Sequence, residues 1–281
     1  MTTHSYLCPM RWGDMDAQGH VNNAAFLDYL QEARVDFLLT GPEALHRLLD
    51  TGVLVVSHQV EYLHPVQVTG QPLRVELWVD SLGASRFFIS YSLFDGDQLV
   101  TRARTGAAPF DLATSTLRRL HADERSALQS ARMDRQPLRP LPRPGSDGGH
   151  HFALRVRWSD IDSYAHVNNV KYYDYIQEAR IALMSEALEW TAEDMWVLVR
   201  QDLDYLRPLD FRIEPYQVRT VVAAIGNRSI TLAADITDPA SGARYASAGT
   251  VVVKSRPLTP ADRTRLAAWE SRAGRAGTLL R

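Results

Sequence analysis

A stretch of twenty-four residues is written twice in this chain, and no other feature of the sequence narrows the fold as much. RWGDMDAQGHVNNAAFLDYLQEAR begins at Arg11 and RWSDIDSYAHVNNVKYYDYIQEAR at Arg157; fourteen of the twenty-four positions are identical, at an offset of 157 − 11 = 146. Further on, VEYLHPV (Val60 to Val66) faces LDYLRPL (Leu203 to Leu209) at an offset of 143. At the same offset SLGASRFFISYSLFD from Ser81 faces AIGNRSITLAADITD from Ala224, and Gly106 is expected to face Gly249. LHADERSAL from Leu120 resembles LTPADRTRL from Leu258. Offsets that drift by a few residues are what loop insertions produce, so one whole domain is duplicated. Between the copies DRQPLRPLPRPGSDGGHH is dense in Pro, Gly and charge, which reads as a linker. The expected division is an N-terminal domain over 1–133, a linker over 134–150 and a C-terminal domain over 151–281. A chain of 281 residues is long enough for two separate cores.

Both copies have the same layout. A short strand runs into Arg11-Trp12 (Arg157-Trp158), followed by a polar loop and a helix expected to open near Asn22-Asn23 (Asn168-Asn169). Asparagine there suits an N-cap, where its side-chain oxygen accepts a bond from an otherwise unpaired amide. Phe26, Leu30, Ala33 and Phe37 recur every three or four residues, as do Tyr172, Ile176, Ala179 and Leu183. That period predicts a helix of about five turns. The following segments alternate instead, and read as antiparallel strands with turns at Asp95-Gly96-Asp97 and Pro239 to Gly242. One long helix followed by an antiparallel meander gives an α+β domain in which the sheet covers the helix.

Bulk properties exclude several classes. A hydrophobic fraction of 45% with 23% charged residues is that of a globular protein. A formal net charge of −2 gives no reason to expect a nucleic-acid or anionic-membrane partner. One cysteine, Cys8, forms no intrachain disulfide and fits a reducing compartment. No opening segment reads as a signal peptide and no apolar run approaches the ~18–20 residues of a membrane span, so a cytoplasmic location is expected.

The repeated polar loop carries the chemistry: Asp14-x-Asp16-x-x-x-His20-x-Asn22-Asn23, and Asp160-x-Asp162-x-x-x-His166-x-Asn168-Asn169. A carboxylate just before a helix start lies beside unpaired N–H groups and the positive end of the helix dipole. Such amides can hold a carbonyl oxygen and stabilise the oxyanion that develops on attack. Asp16 or Asp162 can then act on that carbonyl as a nucleophile or by deprotonating water, with His20 or His166 as hydrogen-bond partner or proton carrier. Asp14 and Asp160 read equally as caps and turn formers. Glu32 and Arg34 on the helix, with Glu178 and Arg180, read as structural ion-pairing residues. No second His/Glu cluster at ligand spacing supports a metal site, and no cofactor is expected.

GDMDAQGHVNNAAF and SDIDSYAHVNNVKYYDYI resemble the opening segment of hotdog-fold thioesterases, the group of 4-hydroxybenzoyl-CoA thioesterase and the fatty acyl-ACP thioesterases. The resemblance implies a helix wrapped by an antiparallel sheet in each half, and two halves packed as a built-in dimer with sites at their junction. It places the catalytic carboxylate on Asp16 and Asp162, the carbonyl-polarising amide on Asn23 and Asn169, and an assisting histidine on His20 and His166. Asn22 and Asn168 fall among the substrate-binding positions. Ser85-Arg86 and Arg228-Ser229 stand where related enzymes receive coenzyme A phosphates, and a guanidinium suits that anion. The acyl-ACP enzymes carry an asparagine two residues after the aspartate, where this chain has Gln18 and Tyr164, and a glutamate where it has Pro65 and Pro208. The expected activity is therefore hydrolysis of an acyl-CoA, with an acyl carrier protein as the other candidate thiol carrier. A hydratase or dehydratase and a non-catalytic binding module are the competing readings. Hotdog proteins commonly associate, so a homo-oligomer of the tandem unit is a further expectation.

Overall fold

The computed structural model describes residues 3–114, 116–134, 137–145, 148–189 and 194–270. The chain forms two compact units, Met1–Arg139 and Pro140–Arg281.

In the first unit, strand β1 (His4–Cys8) runs into a 3-10 turn at Trp12–Asp14 and then into helix α1 (Ala25–Thr40). A short helix α2 (Glu43–Thr51) precedes strands β2 (Val53–Tyr62), β3 (Leu73–Leu82), β4 (Phe87–Asp95), β5 (Gln98–Asp111) and β6 (Thr116–Leu117), and helix α3 (Ala122–Ser130) closes the unit. The sheet order is β1-β3-β4-β5-β2, antiparallel throughout. Alternation does the work the sequence promised. Leu73, Val75, Leu77 and Val79 on β3 and Phe87, Ile89, Tyr91 and Leu93 on β4 are buried on one face, against which α1 lays Phe26, Leu27, Leu30, Ala33, Phe37 and Leu38.

The second unit repeats this plan with β7 (His150–Leu154), a 3-10 turn at Trp158–Asp160, α4 (Lys171–Ala187), β8 (Trp196–Tyr205), β9 (Tyr216–Ile225), β10 (Ser229–Thr237), β11 (Arg244–Lys254) and α5 (Pro260–Ala267). Its strand order is β7-β9-β10-β11-β8. A long helix wrapped by an antiparallel sheet, present twice, makes this a tandem hotdog α+β fold. Among the described residues no helix is long and apolar enough to cross a membrane.

Two sequence expectations shift. Helix α1 begins at Ala25 and α4 at Lys171, two to three residues beyond the asparagines, because a short turn intervenes. Gly106 and Gly249 are not counterparts. Tyr62 pairs with Thr101 and Tyr205 with Ala246, so Gly249, opposite Asp202, stands in the place of Arg104, opposite Gln59. The cause is the longer β10–β11 turn: Thr237 pairs with Arg244, whereas Asp95 pairs with Gln98.

That displaced glycine accommodates the proline-rich segment. The Leu141 amide donates to Asp202 Oδ2 at 2.8 Å, Arg143 Nε to Asp204 Oδ2 at 2.9 Å, and Arg219 Nη2 to the Gly145 carbonyl at 2.6 Å. A Cβ at Gly249 would lie 2.6 Å from the Leu141 Cβ and 2.9 Å from the Pro142 carbonyl oxygen. The segment is thus a strap across the outer face of β8, β11 and β9. In the first unit the same place holds Arg104, stacked on Phe88 at 3.8 Å and forked onto Asp80 at 2.7 and 2.9 Å.

Each closing helix is fastened by a carboxylate. Glu124 on α3 accepts from the His121 amide (2.7 Å) and from both Arg118 Nη atoms (2.8 and 2.7 Å), and Asp262 on α5 accepts from the Thr259 amide (3.0 Å) and Lys254 Nζ (3.2 Å). Burial opposes the Glu124 charge, but the Arg118 and His121 bonds outweigh it and hold the carboxyl below its ordinary value. A depressed carboxyl stabilises the fold above the unfolded-state value near ~4.3 and loses that contribution as pH falls through the folded one. Glu124→Gln is therefore expected to lower the unfolding midpoint at pH ~6, with the gap to wild type closing as the pH is taken below ~4. Thermal melts across that range check it; a gap independent of pH would detach the effect from Glu124 ionisation.

Candidate active site

The polar loop is built around two aspartates with opposite duties. Asp14, at the end of the 3-10 turn, points inward and accepts from the Arg11 amide (2.9 Å), Arg11 Nε (3.0 Å) and the Tyr29 hydroxyl (2.7 Å). Burial first, and then Asp14 itself, pushes the Tyr29 phenol up. Asp160 repeats this with the Arg157 amide (2.9 Å) and Tyr175 (2.7 Å). Asp14 and Asp160 are structural clamps that tie the loop to the helix.

Two residues on, Asp16 is half-buried at the base of a small loop closed by the Met15–Val21 bridge. Its amide donates to the His20 carbonyl (2.7 Å), and its carbonyl accepts from the Gly19 amide (3.0 Å). Carboxylate Oδ1 accepts from the amides of Gln18 (2.8 Å) and His20 (3.2 Å), while Oδ2 has no partner among the described residues. Asp162 has the same setting, with the Ile161–Val167 bridge and an amide bond to the His166 carbonyl at 2.9 Å, but its Oδ1 takes one loop amide, that of Tyr164 (2.9 Å). In both loops one carboxylate oxygen shapes the backbone and the other makes no bond among the described residues.

The loop needs a left-handed residue, and the copies solve this differently: Gly19 has φ 77° and Ala165 φ 61°. An L side chain in that region costs roughly 1 kcal/mol, and glycine there avoids it at some cost in unfolded-state entropy. Nothing lies within 4 Å of a Cβ at Gly19. We expect Gly19→Ala to lower unfolding stability by about 1 kcal/mol and Ala165→Gly to be neutral or slightly stabilising. Urea melts check this; an unchanged or raised stability in Gly19→Ala, or a loss in Ala165→Gly, would contradict it.

The asparagines divide their duties too. Asn22 Oδ1 accepts from the Ala24 amide (2.9 Å) and Asn168 Oδ1 from the Val170 amide (3.0 Å), so each asparagine closes the short turn ahead of the helix. The helix N-cap positions themselves are Ala24 and Val170, which make no side-chain cap bond, contrary to the expectation. Each of those asparagine oxygens thus has one of its two lone pairs engaged by the backbone. The Asn23 carbonyl accepts from the Tyr62 hydroxyl and the Asn169 carbonyl from Tyr205, both at 2.8 Å. The Asn23 N–H has no acceptor among the described residues. His20 is half-buried with no ring partner among the described residues, whereas His166 places Nε2 3.7 Å from Asp210 Oδ1.

The phosphate candidates are not joined to this loop by any described bond. Ser85 and Arg86 are exposed on the β3–β4 turn, and the Arg86 side chain has no partner among the described residues. Arg228 differs: its guanidinium donates to the Lys254 and Ser255 carbonyls, so it fastens a turn, with Ser229 beside it at the start of β10. Among the described residues the expected pairing of Arg34 with a carboxylate is also absent; Arg34 is buried beside Tyr91. Tyr29, Tyr175, Tyr62 and Tyr205, which fix the loop and the helix start, are the residues that sequence reasoning passed over. Their signal was present, since all four recur in the aligned repeats. Among the described residues no group of three or more His, Cys, Asp or Glu side chains is gathered as a metal site.

A half-buried carboxylate ahead of a helix start, carried twice on hotdog units, places the chain in a recognisable class of hotdog-fold proteins. It belongs to the thioesterase-like superfamily, whose family model matches residues 10–140 and 156–258. Its fold is similar to that of the 12:0-ACP thioesterase from Umbellularia californica (TM-score 0.70, 17% identity, 91% of this chain and 94% of that one). It is similar also to an acyl-ACP thioesterase from Bacteroides thetaiotaomicron (TM-score 0.64, 14% identity, 89% and 96%). A protein from Lactobacillus plantarum, provisionally called an oleoyl thioesterase, overlays with a TM-score of 0.71 at 15% identity, over 92% and 97% of the two chains. By sequence, YsmA of Bacillus subtilis, an uncharacterised protein, is 32% identical over 84 residues; the match spans 28% of this chain and about half, 54%, of YsmA.

Proposed function

We propose that the protein hydrolyses acyl-CoA thioesters to the free acid and coenzyme A. The observation that carries this reading is the Asp16 Oδ2, held on a backbone-pinned loop a few residues before the Asn23 N–H ahead of α1, both without a partner among the described residues. The amide donates to the thioester carbonyl and stabilises the oxyanion. Asp16, and Asp162 in the second unit, either adds through Oδ2 to the carbonyl carbon or takes a proton from a water that does so. Collapse expels the thiolate, which leaves with a proton; in the covalent route water then cleaves the anhydride and restores the carboxylate. His20 or His166 serves as hydrogen-bond partner or proton carrier, and Arg86 meets a coenzyme A phosphate. Water is the sole co-reactant.

An acyl group on a carrier protein is the second reading, favoured by the fold shared with two enzymes named for acyl-ACP substrates. A thiol-release screen over acyl-CoAs of graded length and an aromatic acyl-CoA, run beside matched acyl-carrier-protein substrates, tests both. Thiol release from at least one acyl-CoA is expected. Release from the carrier substrates alone moves the assignment to the second reading, and water addition to an enoyl-CoA without thiol release overturns hydrolysis.

A further inference from the structure

Helix α1 buries Leu27, Leu30, Ala33, Phe37 and Leu38, each 6% exposed or less, and in the middle of that stripe stands Arg34 at 5%. It lies seven residues after Leu27, four after Leu30 and four before Leu38, so its side chain enters the helix–sheet core. A buried lysine can shed its charge; an arginine cannot, and its guanidinium needs acceptors. Nη1 donates to the Tyr91 hydroxyl at 3.5 Å, the outer limit of a hydrogen bond, and no carboxylate of the described residues lies within 4.0 Å. The nearby acids are engaged elsewhere or exposed. Asp80 is matched by Arg104 and Ser90, Asp36 by His4 at 2.7 Å, and Glu32 is exposed. Ser90 alternates with Tyr91 and so faces the other side of the sheet. Arg34 Nε and Nη2 have no hydrogen-bond partner among the described residues, and neither atom is wholly cut off from solvent. The second unit is different at this place: Arg180 Nη1 meets Gln201 Oε1 at 3.3 Å, and Ala234 replaces Tyr91.

We propose that Arg34 and Tyr91 form an anion-binding position for a carboxylate at the far end of the acyl group, so that the first unit takes ω-carboxyacyl thioesters. This rests on the hydrolase reading for its substrate. Arg34 lies nine residues beyond Ala25, about 14 Å along the helix, and its side chain leans back toward the helix start. An acyl group whose carbonyl is held at Asn23 therefore presents its distal end to Arg34. The planar fork pairs with a carboxylate through two parallel bonds, and the Tyr91 hydroxyl adds a third donor. The bulkier coenzyme A phosphates are better served by Arg86 on its exposed turn.

The test compares suberoyl-CoA with octanoyl-CoA, and adipoyl-CoA with hexanoyl-CoA, on wild type, Arg34→Met, Arg34→Lys and Tyr91→Phe. Wild type is expected to favour the carboxylated member by tenfold or more in kcat/KM. Arg34→Met should lose that preference, with the methyl-ended substrate unchanged or better; Arg34→Lys should restore part of it. Arg34→Met should also keep or raise the melting temperature, because a buried cation without an anion gives way to an apolar side chain. Equal use of both members by wild type, or an equal loss on both in Arg34→Met, overturns the proposal. Melting-temperature shifts with free suberate and octanoate separate the two readings. A shift by suberate that Arg34→Met abolishes, in a protein that hydrolyses no acyl-CoA, retains the anion site and rejects the hydrolase; no shift in a working hydrolase does the reverse.

Discussion

Replacing Asp16 and Asp162 together by asparagine is expected to lower thioester hydrolysis by about 10²–10⁴-fold while leaving the fold intact. A carboxamide oxygen can still accept the amides of Gln18 and His20, or of Tyr164, so the loop keeps its shape. What disappears is the negative Oδ2 to which the proposed mechanism gives the attack on the carbonyl or the deprotonation of water. The single variants apportion the activity, since the loops are not equivalent: Asp16 Oδ1 is held by two amides and Asp162 Oδ1 by one. Steady-state thiol release together with an unfolding curve decides it. Full turnover in the double variant would reject both aspartates as the reacting groups.

The second large effect is expected in the clamp. Asp14→Ala removes the acceptor from the buried Tyr29 hydroxyl, the Arg11 amide and the Arg11 guanidinium at once. Leaving buried donors unpaired costs about 1–3 kcal/mol each, less for the part that reaches water, so a net loss of about 2–4 kcal/mol is expected. Tyr29→Phe removes one bond only and should cost about 1 kcal/mol. Activity should fall in Asp14→Ala although Asp16 is untouched, because the turn that aims Asp16 is freed from α1. Urea unfolding with kcat measured on the same samples checks both. An unchanged midpoint would mean that the Met15–Val21 bridge alone holds the loop.

Much of this was legible in the sequence because it is written in periods and repeats. Apolar spacing marked α1 and α4, alternation marked the strands, and duplication marked which polar residues to weigh. Helix α2 was not legible: nine residues between Gly41 and Gly52, outside the stretches that visibly recur in the two copies. The placement of Gly249 failed because a ladder register depends on turn length, and the longer turn after Thr237 moved every later partner by two. At the site, the D-x-D spelling could not say which aspartate turns inward. Tyr29 decides it, fifteen residues away on the facing helix. Arg34 was misread for a similar reason: a surface ion pair is the ordinary fate of an arginine on a helix, and only the packing shows that this one faces the sheet.

The proline-rich strap also fixes where the gene can be cut. A C-terminal fragment that opens at His150, where the first strand of that half begins, would leave the notch above Gly249 bare and strip Asp202 and Asp204 of their outer partners. A fragment that opens before Pro140 carries its own cover. Residues 141–145, which read as part of a spacer between two copies, are outer skin of the second, so the two halves are not interchangeable modules.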